Sequence, residues 1–198
     1  MRLILQYISG MIPYCLFGMV VCAIIRTKHY HKNISKNELW REILMLLFVA
    51  YCAGLASQRI LPRIDAGIYS ESGKPYFNII WNADLASVNI IPFRTIWAQL
   101  TGSNSYVGQS DVYAVSALNL LSNILLFSPM GIFMPLLWHK FRSIKYVVET
   151  GIIISVCVEV IQLLVGRSCD IDDVILNTVG ILIGFMVYKL IETLKLKH

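Results

Sequence analysis

Charge is scarce in this sequence. Only 15% of its 198 residues are Asp, Glu, Lys or Arg, where an ordinary soluble domain carries about 25%. With 57% hydrophobic residues and a mean hydropathy of +0.65, too little polar surface is left to clothe a water-soluble domain. Lipid is therefore the expected solvent for most of the surface. The chain also lacks any CxxC pair. Four of its five cysteines (Cys15, Cys22, Cys52 and Cys157, with Cys169 the exception) lie inside apolar stretches. There Cys behaves as a small hydrophobe, which argues against a disulfide framework or a zinc site. Internal repeats and low-complexity tracts are missing too, and no stretch is polar enough for a separate soluble domain. The expectation is one membrane domain over residues 1–198.

What is present is a series of long apolar runs. A helix crossing a bilayer needs roughly 20 mostly apolar residues, because each adds about 1.5 Å. Five stretches meet that need: about Ile4–Ile25, Ile43–Leu61, Ala114–Trp138, Tyr146–Val165 and Asp172–Leu190. The predicted fold class is all-α, a polytopic membrane helix bundle with about five transmembrane helices. The first run precedes a basic stretch, the reverse of a signal peptide, so it reads as a retained helix. Pro129 and Pro135 are expected to kink or loosen the third span, with neighbouring groups satisfying the freed carbonyls. Between spans two and three lies a long segment, residues 62–113, rich in Ser, Gly, Asn and aromatics. Its part Phe77–Leu100 is too apolar for a plain linker. Trp81, Phe93 and Trp97 suit the headgroup zone, so this part is expected on the membrane surface or folded back onto the protein.

The net charge is +5, but the basic residues sit in short segments between apolar runs. Topology explains them better than a nucleic-acid partner. Arg26, Lys28, Lys32, Lys36 and Arg41 follow span one, Lys140, Arg142 and Lys145 follow span three, and Lys189, Lys195 and Lys197 follow span five. All fall on one side. The positive-inside rule puts that side, with the C-terminus, in the cytoplasm, and the N-terminus and residues 62–113 outside. The histidines (His29, His31, His139 and His198) then all lie on the cytoplasmic side. No nucleophilic Ser-His-Asp or Cys-His set can form on the outer face.

Polar residues converge at that outer face. Asn119 and Asn123 are four apart on span three, and Glu159 and Gln162 three apart on span four, so each pair shares a helix face. Arg167, Asp170, Asp172, Asp173 and Asn177 follow, and Asn89 and Arg94 come from the long segment. A carboxylate within a span, such as Glu159, costs roughly 2.5–3.5 kcal/mol on insertion scales and generally faces a partner or a wet cavity. Two readings stand: a structural ion pair with Arg167, or a ligand or catalytic cavity. The Asp run has its own structural reading. Asp at a helix start accepts free backbone N–H groups, and Asp170 to Asp173 has capping-box spacing with Asp in place of Glu. Three Asp plus Glu159 exceed what capping requires. The spacing fits no recognisable metal loop, so no metal and no cofactor is expected. Gly180-x-x-x-Gly184 permits close helix packing.

These pieces resemble the VanZ-like family of bacterial membrane proteins. The resemblance is carried by Asn89-Ile-Ile-Pro-Phe93, by Asn119 and Asn123-Ile-Leu-Leu-Phe-Ser-Pro-Met-Gly131, by Glu159-x-x-Gln162, and by Arg167-Ser-Cys-Asp-Ile-Asp-Asp-Val-Ile-Leu-Asn-Thr-Val-Gly180. It covers about residues 85–188; the first two spans match in character alone. The resemblance implies a multi-pass protein of the bacterial plasma membrane, of the accessory type that gives tolerance to teicoplanin-type lipoglycopeptides.

Three functions follow as expectations. As a binding or resistance module, the protein recognises an amphiphilic or lipid-linked envelope molecule or a lipoglycopeptide at the outer leaflet, among membrane lipids. Arg94 and Arg167 take anionic groups, and Asn119, Asn123, Gln162, Asp172 and Asn177 take hydroxyls, amides or amines. As an enzyme on a lipid-linked envelope substrate, Glu159 serves as general acid or base. Asp170, Asp172 and Asp173 then orient the substrate, and Asn123 and Arg167 stabilise developing charge. As a structural subunit, the protein does neither. The oligomeric state is open on sequence alone.

Overall fold

A computed structural model of the chain describes residues 2–27, 36–68, 73–80, 88–101 and 112–195. Trp81, Lys28, Lys32, Lys197, His29, His31 and His198 lie outside the described residues. The elements in order are α1 (Arg2–Thr27), α2 (Lys36–Arg59), β1 (Arg63–Ile68), β2 (Pro75–Ile80), β3 (Val88–Asn89), α3 (Arg94–Leu100), α4 (Val112–Leu137), α5 (Ile144–Leu164), β4 (Cys169–Asp170) and α6 (Ile171–Lys195). The fold is an all-α polytopic bundle. Five of its helices are long and apolar enough to cross a membrane by length and composition. The second helix starts at Lys36, within the stretch expected to be a loop. Its early start matches the good helix formers Lys36, Glu38, Leu39 and Arg41.

The segment between α2 and α4 departs most from expectation. It holds an antiparallel hairpin, β1 with β2, in which Arg63 pairs with Ile80 and Ile68 with Pro75. Its second half folds back: Val88 and Asn89 pair in parallel with Cys169 and Asp170, and the short helix α3 follows.

The bundle is tightest between α4 and α6, because glycine lets the two backbones meet. A Cβ on Gly131 would lie 1.9 Å from the Ile181 carbonyl oxygen, and one on Gly184 would lie 1.8 Å from that of Ser128. On Gly180 it would lie 2.3 Å from the Ile124 carbonyl oxygen. No side chain fits at any of the three without separating the helices. In lipid, where apolar burial gives little drive, such backbone approach is what binds helices together. Around this seam Phe127, Met130, Met134, Val147, Val158, Ile181, Phe185 and Tyr188 are buried. Pro129 cannot donate to Leu125, and the Ser128 hydroxyl bonds that carbonyl instead at 3.1 Å.

Helices α1 and α2 form a second pair, with an Arg26–Glu42 ion pair near one end. The pair joins the rest through Tyr51, whose hydroxyl donates to the Leu126 carbonyl at 2.7 Å. Phe48 and Tyr51 also pack on Phe133. Helix α5 ends in a left-handed glycine: Gly166 has φ 74°. Its N–H bonds the Leu163 carbonyl at 3.3 Å, and Arg167 N–H bonds that of Gln162 at 2.9 Å. This Schellman turn satisfies the orphan carbonyls and swings the chain straight into β4 and α6. It fixes where the Asp run lies.

Candidate functional site

The polar residues gather at the end of the bundle formed by the C-termini of α2 and α5, the N-terminus of α6, and α3. Each Asp of the run has a different task. Asp170 is the N-cap of α6: its Oδ1 accepts the Asp172 N–H at 2.9 Å. The same carboxylate accepts Asn89 Nδ2 at 2.9 Å and the Thr95 hydroxyl. Asp172 is fully buried and turned away from its own helix. It accepts the N–H groups of Phe93, of Thr95 at 2.7 Å and of Ile96 at 3.0 Å. It thus caps α3, a helix distant in sequence. Asp170 and Asp172 together staple residues 89–96 onto the bundle.

The expected capping box does not form. The Asp170 N–H donates to Glu159 Oε2 at 2.9 Å. Asp173 is held elsewhere, accepting Asn123 Nδ2 and pairing with Arg59 at 3.9 Å. Arg59 also donates to Asn123 Oδ1, which closes a three-residue network across α2, α4 and α6. An Asp side chain is one methylene shorter than Glu. It does not reach back to the cap when a guanidinium and an amide compete for it.

Glu159 faces inward, 2% exposed. Arg167 does not pair with it; its guanidinium donates to the Gln58 carbonyl at 2.8 Å and ties the α5–β4 turn to α2. Glu159 Oε2 holds the Asp170 amide, while Oε1 is buried with no hydrogen-bond partner among the described residues. Ser155, one turn away on the same face, and Asn177 on α6 are both 0% exposed. The Ser155 hydroxyl and both polar atoms of Asn177 also lack partners. The helix register aligns these groups. A Cβ on Gly151 would lie 3.2 Å from Ile181 Cδ1, so in this antiparallel pair Ser155 comes opposite Asn177, and Glu159 opposite Asp173. Gln162 is buried on the face of Glu159.

Two of the expected residues lie apart. Asn119 and Arg94 are exposed, and the Arg94 side chain makes no hydrogen bond or ion pair among the described residues. Beside Arg94, Ile90, Ile91, Phe93, Trp97 and Leu100 are all exposed. Phe93 itself sits at φ 64°, a left-handed conformation uncommon for a bulky residue. The Asp172 bond to its N–H holds it there. Sequence reasoning missed Arg59, Thr95 and Ser155. Its place at the end of span two was the one sequence signal that put Arg59 level with Asn123. Ser155 stands four residues before Glu159, a spacing that marks a shared face.

Chemically, the site offers one incompletely satisfied carboxylate, one amide and one hydroxyl in a closed interior, behind a charged network. Cys169 is disfavoured as a nucleophile. Burial, and then the charges of Glu159, Asp170 and Asp173, push its thiol pKa up and disfavour the thiolate. Three carboxylates of the cluster are occupied by protein donors. Among the described residues, no group of three His, Cys, Asp or Glu side chains is placed to hold a metal ion.

No curated protein and no solved structure matches the chain. A family model described as VanZ/LLP1 matches residues 43–192. The match takes in α2 from Ile43 onward, Arg59 included, as well as every other residue of the cluster. On that match, which covers most of its length, the chain belongs to the VanZ/LLP1 family.

Proposed function

We propose that the protein is a bacterial plasma-membrane module that lowers susceptibility to teicoplanin-type lipoglycopeptides by binding amphiphilic envelope molecules at the outer leaflet. In this reading the α3 end of the bundle faces outward and the C-terminus is cytoplasmic. One observation carries it: a buried, incompletely satisfied polar cluster lies directly behind an exposed apolar segment. Ile90, Ile91, Phe93, Trp97 and Leu100 suit the boundary between headgroups and acyl chains, where an acyl or prenyl tail lies. The exposed Arg94 and Asn119 meet the polar head. The cluster of Arg59, Asn123, Glu159, Gln162, Arg167 and Asp173 supplies the polar floor. A glycopeptide without a tail gains nothing from the apolar segment, so tailed drugs are favoured. Family membership supports the same reading.

The unpartnered Glu159 Oε1 favours a second reading, a membrane enzyme on a lipid-linked envelope substrate with Glu159 as general acid or base. Asp170 and Asp172 then hold the α3 segment in place, and Asp173 fixes Arg59 and Asn123, which stabilise charge. One experiment separates the readings from each other and from a structural role. Minimum inhibitory concentrations of teicoplanin and vancomycin are compared in a Gram-positive host expressing wild type, Glu159→Gln or Asp173→Asn at matched membrane levels. The proposal expects wild type to raise the teicoplanin value more than the vancomycin value, and both variants to lose part of that protection. Complete loss with Glu159→Gln alone selects the enzyme. No shift with wild type ends the resistance reading.

A further inference from the structure

The α3 end of the bundle carries more negative charge than its own cations balance. Four carboxylates, Glu159, Asp170, Asp172 and Asp173, share it with three guanidiniums, Arg59, Arg94 and Arg167. Three of the four are accounted for. Asp172 takes three amides of the α3 segment. Asp170 takes Asn89, Thr95 and the Asp172 amide. Asp173 has Arg59 and Asn123. Glu159 alone has one amide and one buried oxygen with no partner among the described residues. An ionised carboxylate in a low-dielectric interior needs a compensating charge.

The neighbours of that oxygen are also unspent. Ser155 Oγ lies one turn along α5, and Asn177 lies on the facing side of α6; both residues are 0% exposed, and Ser155 Oγ and Asn177 Oδ1 lack partners among the described residues. Three buried protein oxygens, bearing a single full negative charge when Glu159 is ionised, therefore lie on facing sides of α5 and α6. The single uncommitted carboxylate disfavours a divalent ion, which usually takes several charged oxygen ligands. We propose that Glu159, Ser155 and Asn177 form a binding site for one dehydrated monovalent cation of the size of Na+, seated between α5 and α6. Ion binding there pins the two helices at the depth where the polar cluster begins. The inference stands apart from the functional reading, because its readout is stability and not drug susceptibility.

The test uses the full chain purified in detergent, with thermal unfolding followed at constant ionic strength as choline is replaced by Na+. A ligand that binds the folded state alone raises stability with the logarithm of its concentration beyond Kd. Wild type is expected to rise in Tm by about 5 °C between Na+-free and saturating conditions. Glu159→Gln keeps an oxygen for the Asp170 amide but loses the charge, and its Tm should not respond to Na+. Ser155→Ala guards against a Glu159 variant that fails to fold. It should move the half-rise to at least about tenfold higher Na+, since each 1.4 kcal/mol of lost affinity is tenfold. A wild-type Tm that is the same in Na+ and choline overturns the proposal. So does a Ser155→Ala half-rise unchanged from wild type.

Discussion

The hold of Asp172 on α3 can be put to a quantitative test with Asp172→Ala. Its carboxylate accepts three amides, at 2.5 Å from Phe93, 2.7 Å from Thr95 and 3.0 Å from Ile96. The residue is fully buried. Hydrogen bonds to a charged group contribute about 1.5–3 kcal/mol each, and such contributions are not additive when donors share one acceptor. A total of about 3–5 kcal/mol is therefore at stake. The loss should be local, because the α4–α6 seam does not depend on Asp172. The assay is amide hydrogen exchange on protein in nanodiscs. Exchange at Phe93, Thr95 and Ile96 should accelerate at least about a hundredfold, the equivalent of about 2.8 kcal/mol, while amides of α4 and α6 near Gly131 and Gly184 keep their rates. Asp172→Asn retains one acceptor oxygen and should fall between. Unchanged exchange at Phe93, Thr95 and Ile96 in Asp172→Ala would refute the staple.

Other perturbations probe the rest of the account. Gly184→Val should cost more folded yield and Tm than Gly151→Ala, since a Cβ at Gly184 meets the Ser128 carbonyl at 1.8 Å and one at Gly151 meets only the Ile181 side chain; thermal unfolding of both checks it. Arg59→Gln should destabilise by about 1–3 kcal/mol by removing the charge that faces Asp173, and adding Asp173→Asn should recover part of that in a double-mutant cycle. The rate of Cys169 alkylation should keep climbing with pH through a window above that of an exposed thiol, because a raised pKa delays thiolate formation. A cysteine placed at the exposed Lys74, in a background lacking the native cysteines, should be labelled from outside intact cells; labelling only after permeabilisation would reverse the proposed orientation.

The bundle was legible because lipid imposes length and polarity on each span, and both show in a sequence window. The glycine seam was legible as well: Gly180 and Gly184 stand four apart in an apolar run, and the structure sets them against the α4 backbone. The hairpin of β1 and β2 and the return of residues 88–100 were not legible in the same way. Their geometry depends on partners distant in sequence, such as Asp172 with Phe93 and Asn89 with Asp170. The acidic run was half legible. Capping chemistry foretold Asp170 as the N-cap of α6. That Asp172 caps α3 depends on residues 93–96 packing against it from far along the chain, which no local pattern records. Glu159 was readable as a buried carboxylate, but its partner was not. Arg167, eight residues on, lies beyond that turn, and its guanidinium bonds the Gln58 carbonyl.

The most direct test of the central claim is binding itself. Saturable binding of a teicoplanin-type lipoglycopeptide and of vancomycin to the full chain in nanodiscs should be measured for wild type, Glu159→Gln and Arg94→Gln, against empty nanodiscs. The account predicts saturable binding of the tailed drug to wild type, weakened at least about tenfold by each variant, and no saturable binding of vancomycin beyond empty nanodiscs. Equal binding of both drugs, or variants that bind as tightly as wild type, would contradict it.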